Sequence, residues 1–322
     1  MNRRMFLSAV AGGLVFAPGD AASQARATPR VGVLYTSTPS VLFNMLVPSL
    51  RELGYTDGTN IVLEPRSSAG HPETLPGLAA DIVGLNVAAF VAVGPAAVTA
   101  AVAATRSIPI IAVDLESDPV ERGWAGSLAR PGANLTGFFM DHPAMAAKWL
   151  GLLREVAPGV RDVALLWDST TGASQLDAAR AAAQRLSIGV EVVEMRNVDD
   201  LNAALQAGVG TGKRAMVMLS SPIIFASSAQ IAEYARRNRI PAISPFKPFA
   251  ETGGLMSYGP DLPYFFKRTA TYVSKILKGE KAGDLPIQQP TKFDFVVNLK
   301  TAGAFGLTVP QSLLLRADEA IR

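Results

Sequence analysis

The 322-residue chain has no cysteine and only two histidines, His71 and His142. The lack of cysteine excludes disulfides, thiolate nucleophiles and cysteine-ligated zinc or iron–sulfur centres. The two histidines lie far apart and form no HExxH or His-x-His spacing. The sequence also lacks a G-x-S-x-G elbow, and its glycine-rich stretch at 208–213 lacks the spacing of a phosphate loop. These absences leave few catalytic options, and because no cofactor motif is present we expect no cofactor.

Charge is nearly balanced, with 30 basic and 27 acidic residues and a formal net charge of +3. No stripe of lysine and arginine with interleaved aromatics occurs, which argues against a nucleic-acid partner. The length allows one large or two medium domains. Because 49% of the residues are hydrophobic, a sizeable core is available.

Residues 1–27 have the layout of a secretory signal peptide. A basic start containing Arg3 and Arg4 precedes an apolar run at 6–17 and then a series of small residues. The run is shorter than the roughly 20 residues of a membrane-spanning helix. The arginine pair also fits the twin-arginine pattern, so both the Sec and the twin-arginine routes stay open. Cleavage after Ser23 or after Ala27 fits the small-residue rule, and we expect export.

The remaining chain alternates short apolar strands with helices, which is typical of parallel sheets covered on both faces. We predict an α/β protein of two doubly wound, Rossmann-like lobes. The first-half strands are predicted at 31–35, 61–64, 87–93 and 108–113, and the second-half strands at 163–167, 190–194, 215–219, 242–244 and 254–258. A helix starting at Ser40 contains Pro48, which should kink or shorten it, and one helix is expected over 223–237.

The proline-containing segment near Pro286 and Pro290 has the character of a chain crossing between the lobes. We assign 28–138 with about 261–288 to the N-terminal lobe. The C-terminal lobe comprises 139–260 with about 289–322.

Ligands of open parallel sheets bind where the strands end. Hydroxyls and helix-start N–H groups at such ends can hold a carboxylate, although each serine or threonine could instead be a helix N-cap. The ligand-binding candidates are Tyr35, Thr36, Ser37, Gly94, Pro95, Ala96 and Asp114 in the first lobe, and Asp168, Ser169, Ser220, Ser221, Pro222, Phe246 and Tyr258 in the second.

Three closely spaced carboxylates, Asp114, Glu116 and Asp118, could serve acid/base chemistry or hold a divalent cation. For Asp118, which precedes Pro119, the simpler prediction is the N-cap of a following helix.

A family resemblance is carried by a series of segments that follow one another along almost the whole chain after Arg30. They are 50–55 (LRELGY), 75–80 (LPGLAA), 118–120 (DPV), 127–132 (SLARPG), 254–259 (GLMSYG), 270–281 (ATYVSKILKGEK), 284–290 (DLPIQQP), 298–302 (NLKTA) and 313–318 (LLLRAD). Together they resemble the family of ABC-transporter substrate-binding proteins that includes tryptophan-binding members. Where relatives often read Gly-Thr-Pro-Ala, this chain has Val93-Gly94-Pro95-Ala96, which removes one hydroxyl from the expected cleft.

The resemblance implies a type I periplasmic binding fold, in which two hinged lobes close on a small solute. It further implies a monomeric periplasmic protein that delivers its solute to a membrane permease driven by an ATPase, and that meets the membrane only through that permease. The implied solute is an amino acid, possibly aromatic, or a related carboxylate. One alternative is a ligand sensor that reports to a membrane receptor. An enzyme on the same fold, using the carboxylates at 114–118, is disfavoured by the missing cysteine and the poorly placed histidines.

Three roles are expected for the candidate residues. Thr36, Ser37 and the N–H of Ala96 would hold a carboxylate. Tyr35, Phe246 or Tyr258 would pack on the body of the solute. Asp114 or Asp168 would pair with an amine.

Overall fold

The computed structural model describes residues 28–36, 39–114, 116–139, 142–209 and 214–322. The predicted signal peptide at 1–27 and the candidate Ser37 lie outside these ranges. Within them, the chain forms two separate sheets flanked by helices. The predicted α/β class is confirmed.

The first sheet has five parallel strands in the order β2-β1-β3-β4-β5. They are β1 (Arg30–Tyr35), β2 (Val62–Ser67), β3 (Ala89–Val93), β4 (Ile110–Asp114) and β5 (Leu135–Phe139). Its helices are α1 (Pro39–Glu52), α2 (Leu75–Gly84) and α3 (Pro95–Ala104), with a 3-10 turn at Pro72–Thr74. Alternate residues of β1 enter different cores, since Val33 and Tyr35 belong to one cluster and Leu34 to the other. Near-continuous apolar strands therefore follow from burial on both faces.

The second sheet has seven strands in the order β12-β11-β10-β9-β8-β6-β7, and its only antiparallel pair is β10 with β11. They are β6 (Asp162–Asp168), β7 (Gly189–Met195), β8 (Ala215–Met218), β9 (Ala242–Ser244), β10 (Met256–Pro260), β11 (Phe293–Asn298) and β12 (Glu319–Ile321). The accompanying helices are α4 (His142–Val156), α5 (Ser174–Arg185), α6 (Val198–Gln206), α7 (Pro222–Ala226), α8 (Ser228–Arg237) and α9 (Lys247–Glu251).

The chain passes between the two sheets three times. It leaves the first sheet after β5, and it returns after β10 as α10 (Leu262–Leu277), which packs on α1, β3, β4 and β5. A 3-10 turn at Ala282–Asp284 then leads to β11, α11 (Leu299–Ala304), α12 (Gln311–Leu314) and β12. We call the first sheet with α1, α2, α3 and α10 the first lobe, and the second sheet with its helices the second lobe.

The structure differs from the sequence predictions at four places. Strand β5, which the sequence did not predict, runs through Gly137; its φ of 140° and the carbonyl of Ala112, 2.0 Å from where a Cβ would stand, require glycine there. Helix α1 continues past the exposed Pro48 to Glu52, so the proline does not shorten the helix, and the kink stays a prediction. The helix expected over 223–237 is divided at Ser227 into α7 and α8. No helix follows Asp118, whose carboxylate instead closes a turn by accepting the N–H groups of Val120 and Glu121.

Among the described helices, none combines the length and hydropathy needed to cross a bilayer.

Candidate functional site

The carboxyl ends of the two sheets meet across a cleft between the lobes. After β4 of the first lobe, Glu116 accepts a hydrogen bond of 2.5 Å from the hydroxyl of Ser220, which follows β8 of the second lobe. After β3, Gly94 faces Pro222 so closely that a Cβ on Gly94 would lie 2.6 Å from Pro222 Cγ. The lobes are therefore in contact at their strand ends, and we call this arrangement closed.

Four buried polar side-chain atoms of the first lobe have no hydrogen-bond partner among the described residues. They are Tyr35 OH, Thr36 Oγ1, Asp114 Oδ2 and Ser117 Oγ. They lie at or just after the carboxyl ends of β1 and β4, two strands that flank β3 and are therefore roughly 10 Å apart. Because a buried polar atom without a partner costs free energy, such a concentration at one sheet edge indicates a place where a polar solute supplies the missing partners.

Asp114 is the central acidic group of this edge, and its side chain is fully buried. Its Oδ1 accepts the N–H groups of Glu116 at 2.8 Å and Ser117 at 2.9 Å, and no well-formed hydrogen bond reaches its buried Oδ2. Burial raises the pKa of Asp114 above its ordinary value, and the N–H of Glu116, the hydroxyl and N–H of Ser117 and the positive charge of Arg122 oppose the shift. A cation at Oδ2 would stabilise the charged form.

Gly94 is the N-cap residue that precedes α3, and its φ of 89° and ψ of 154° lie in a region that only glycine adopts readily. Pro95 occupies the first turn, where its missing N–H costs nothing. The N–H groups at the start of α3, including that of Ala96, form the positive end of a ten-residue helix. Thr36 Oγ1 lies 3.6 Å from the position of a Cβ on Gly94, so the hydroxyl and the helix start are neighbours.

Asp168, the corresponding carboxylate of the second lobe, already has protein hydrogen-bond donors at both of its oxygens. Its Oδ1 accepts the N–H and the hydroxyl of Thr170 at 2.9 and 2.6 Å, and its Oδ2 accepts the hydroxyl of Ser221 at 2.7 Å. Burial raises the pKa of Asp168, and these hydrogen bonds oppose the rise. Of the two aspartates proposed to pair with an amine, Asp114 alone keeps an oxygen that no well-formed hydrogen bond reaches.

The second-lobe candidates Ser169, Ser221 and Pro222 lie near Asp168. Ser221 caps α7 by accepting the N–H of Ile223, and Pro222 follows it as the residue that meets Gly94. Ser169 donates to the carbonyl of Met195 at 3.5 Å.

The two second-lobe aromatic candidates are occupied by protein neighbours. Phe246 is buried edge-on against Phe225 of α7, with the ring centroids 5.0 Å apart. Tyr258 is half-buried, stacks on Phe293 at 5.9 Å and lies under the ammonium group of Lys148. Tyr35 differs from both, because its ring is buried while its hydroxyl lacks a protein partner.

Sequence reasoning left Ser117, Gln175 and Ser257 out of the candidate set, and it considered Glu116 only as one of the three closely spaced carboxylates. Ser117 is three residues after Asp114, so a longer strand-end loop would have included it. Ser257 in β10 carries another buried hydroxyl without a partner. Gln175, fully buried in α5, binds both main-chain groups of Ser220 and has no local sequence signal.

A groove of about 600 Å³ opens beside the cleft. It runs along α2 and α3 and reaches Arg122 of the first lobe and Thr170 of the second. Within the described ranges, no group of three or more acidic or histidine side chains is arranged to hold a metal ion.

Comparison with known proteins agrees with this architecture. A tyrosine-binding protein of Clostridioides difficile (strain R20291) is 24% identical over 263 residues, covering 81% of this chain and 75% of that protein. The structure of an ABC domain in complex with L-Trp from Streptococcus pneumonia superposes with a TM-score of 0.80 at 22% identity, covering 91% of this chain and all of that one. A ligand-free, open substrate-binding protein with adhesive properties from Clostridium difficile gives a TM-score of 0.61 at 23% identity, covering 91% of this chain and 99% of that one.

The family described as ABC transporter substrate binding protein matches residues 42–321. This span includes the second lobe and all of the first lobe after the start of α1, so β1 and the candidates Tyr35, Thr36 and Ser37 precede it. The resemblance noted from the sequence is therefore confirmed, and the chain belongs to the ABC-transporter substrate-binding protein family.

Proposed function

We propose that this protein captures an amino acid, or a related amine-bearing carboxylate, between its lobes and delivers it to an ABC importer. The observation that carries the proposal is Asp114, a fully buried carboxylate with one oxygen unpartnered, close to buried hydroxyls and a helix start. A buried carboxylate oxygen suits an ammonium group. The printed names of two similar proteins, one tyrosine-binding and one in complex with L-Trp, support an amino acid.

The proposed contacts divide between the two ends of an amino acid. Asp114 Oδ2 would accept hydrogen bonds from the ammonium group. Thr36 Oγ1 and the first N–H groups of α3, including that of Ala96, would donate to the carboxylate. Tyr35 would present its hydroxyl and the edge of its ring to the body of the solute. Ser37, which adjoins Thr36 in the sequence, remains part of the proposed carboxylate site.

Closure of the lobes would enclose this solute. The contact of Gly94 with Pro222 and the hydrogen bond of Ser220 to Glu116 join opposite lobes. A solute that contacts both lobes would shift the population toward this form. We propose the three chain passages as the hinge, between lobes of 28–138 with 261–288 and 139–260 with 289–322.

Delivery and export complete the proposal. The closed monomer would dock on a permease, and the layout of residues 1–27 favours export into the periplasm before that step. Mass spectrometry of the exported protein tests the second point, with a new N-terminus at residue 24 or 28 as the expected result. Stimulation of the partner permease and its ATPase in vesicles by the solute-loaded protein would distinguish transport from a sensor role.

Binding itself is tested by calorimetric titration of the mature chain, stripped of solute by unfolding and refolding. The titrants are the standard L-amino acids and, for each aromatic one, the analogue lacking the amine. We expect at least one amino acid to bind with a micromolar or lower Kd and its deaminated analogue to bind at least tenfold more weakly. A folded protein that binds none of them would overturn the proposal.

A further inference from the structure

The cleft contains a hydrogen bond between the lobes that needs no solute. The hydroxyl of Ser220 donates to Oε1 of Glu116 at 2.5 Å, although the two residues are 104 positions apart. Glu116 is 3% exposed and Ser220 is 1% exposed. A hydrogen bond to a carboxylate at such a buried position is stronger than one between neutral groups at the surface.

Each partner is held in position by its own lobe. In the first lobe, Asp114 Oδ1 accepts the N–H groups of Glu116 and Ser117, and this fixes the loop after β4. In the second lobe, the side chain of Gln175 donates to the carbonyl of Ser220 at 2.7 Å and accepts its N–H at 2.8 Å. Because both loops are ordered by these contacts, joining them costs little further conformational entropy.

The same carboxylate connects this contact to the proposed solute. Asp114 accepts the N–H groups of Glu116 and Ser117 through Oδ1, and its buried Oδ2 is left without a well-formed hydrogen bond. A cation bound at Oδ2 would lie two residues from the interlobe contact, and it would stabilise the charge that orders the loop. Occupancy of the cleft and formation of the interlobe contact therefore favour one another.

We propose that Glu116 and Ser220 form a closure latch, a pair of positioning residues that stabilises the closed state without contacting the solute. The latch rests on the proposed function, since it would stabilise the closed state in which the solute is held. The latch itself is a contact between the two lobes, so it acts in the solute-free protein as well. It predicts that a measurable fraction of the empty protein is closed, and that loss of either partner reduces that fraction.

The absence of native cysteine allows a direct test. Nitroxide labels at Asp81→Cys on α2 and Arg180→Cys on α5, two exposed positions in opposite lobes, report the interlobe distance by double electron–electron resonance. The protein is stripped of solute by unfolding and refolding, and the ratio of closed to open populations is measured. We expect Ser220→Ala or Glu116→Ala to lower this ratio about tenfold. Glu116→Gln, which keeps an acceptor oxygen, should lower it less.

Two further variants separate a latch from a general loss of structure. The Glu116→Ala/Ser220→Ala double variant should be no more open than either single variant, because both remove the same contact. Ser228→Ala removes a buried hydroxyl that bonds to the Phe225 carbonyl within the second lobe, and it should leave the ratio unchanged. Three outcomes would each overturn the latch. The parent protein could show only the open distance, or Ser220→Ala could have the same ratio of closed to open populations as the parent. The effects of the two single variants on this ratio could also prove additive in the double variant. Addition of millimolar L-tryptophan to the same samples tests the proposed function. If this probe does not shift the interlobe distances, the result counts against amino-acid capture and leaves the latch unaffected.

Discussion

Gly94 and Pro222 approach one another across the cleft so closely that a single added methyl group would not fit. A Cβ on Gly94 would lie 2.6 Å from Pro222 Cγ, and the φ of Gly94 is 89°. The two residues belong to opposite lobes and stand at the start of α3 and α7. The closed form therefore depends on the absence of a side chain at position 94.

Gly94→Ala should hold the lobes apart and weaken solute binding at least tenfold. The backbone strain alone should lower the free energy of unfolding by about 1–3 kcal/mol. Small-angle scattering would show a larger radius of gyration, and urea denaturation would give the stability. Gly77→Ala in α2 is the matched control, because nothing lies within 4 Å of its Cβ position. A compact Gly94→Ala protein with parent affinity would contradict this account of closure.

Asp114→Asn should separate folding from binding. The raised pKa means that the folded protein takes up a proton more readily than the unfolded chain, so the charged form of Asp114 costs stability at neutral pH. This cost disappears as the pH falls from above the raised pKa toward the ordinary value of 3.8. The asparagine variant should be at least as stable as the parent at neutral pH, with a weaker gain on acidification.

The same variant should bind an amino acid about ten- to a hundredfold more weakly, because a neutral amide replaces the carboxylate. Urea denaturation across the acid range and calorimetry at neutral pH measure the two effects. Parent affinity in Asp114→Asn would remove Asp114 from the proposed amine site.

Tyr35→Phe removes a hydroxyl that has no protein partner. We expect the free energy of unfolding to stay within about 0.5 kcal/mol of the parent or to rise, while affinity falls about three- to tenfold. Tyr234→Phe is the matched control. Its hydroxyl donates to the Val209 carbonyl at 2.7 Å, so this variant should lose about 1 kcal/mol of stability and keep its affinity. Equal behaviour of the two variants would count against a solute contact at Tyr35.

Gln175→Leu should destabilise the second lobe by about 2–4 kcal/mol, because it leaves the buried N–H and carbonyl of Ser220 without their partner. Gln184→Leu, on an exposed position of the same helix, should change the stability by less than about 0.5 kcal/mol. Chemical denaturation of both variants measures the difference. If Gln175→Leu lowers the free energy of unfolding by less than about 1 kcal/mol, the two hydrogen bonds between Gln175 and Ser220 are not needed for stability.

Local patterns in the sequence were sufficient for most of the fold. Continuous apolar runs located β1, β3 and β4, and the rule that ligands bind at strand ends led to Thr36, Gly94 and Asp114. The pattern failed at β5, where Gly137 interrupts the run but the adjacent carbonyl of Ala112 demands a glycine. Very short elements such as β12 and α9 carry too few residues for a period to be recognised.

The sequence could not distinguish the two aspartates. Asp114 and Asp168 both end apolar strands, and only their partners distinguish them, since Thr170 and Ser221 donate hydrogen bonds to both oxygens of Asp168. The contact of Glu116 with Ser220 joins residues 104 positions apart and leaves no periodic trace. Such properties depend on how the two lobes meet, which no local pattern records.

The most direct test of the central claim is a crystal structure of the mature chain grown with the tightest-binding amino acid. The account predicts density between the closed lobes, with the ammonium nitrogen within hydrogen-bond distance of Asp114 Oδ2 and the carboxylate at Thr36 and the start of α3. An amino acid bound elsewhere, or with its carboxylate end against Asp114, would contradict it.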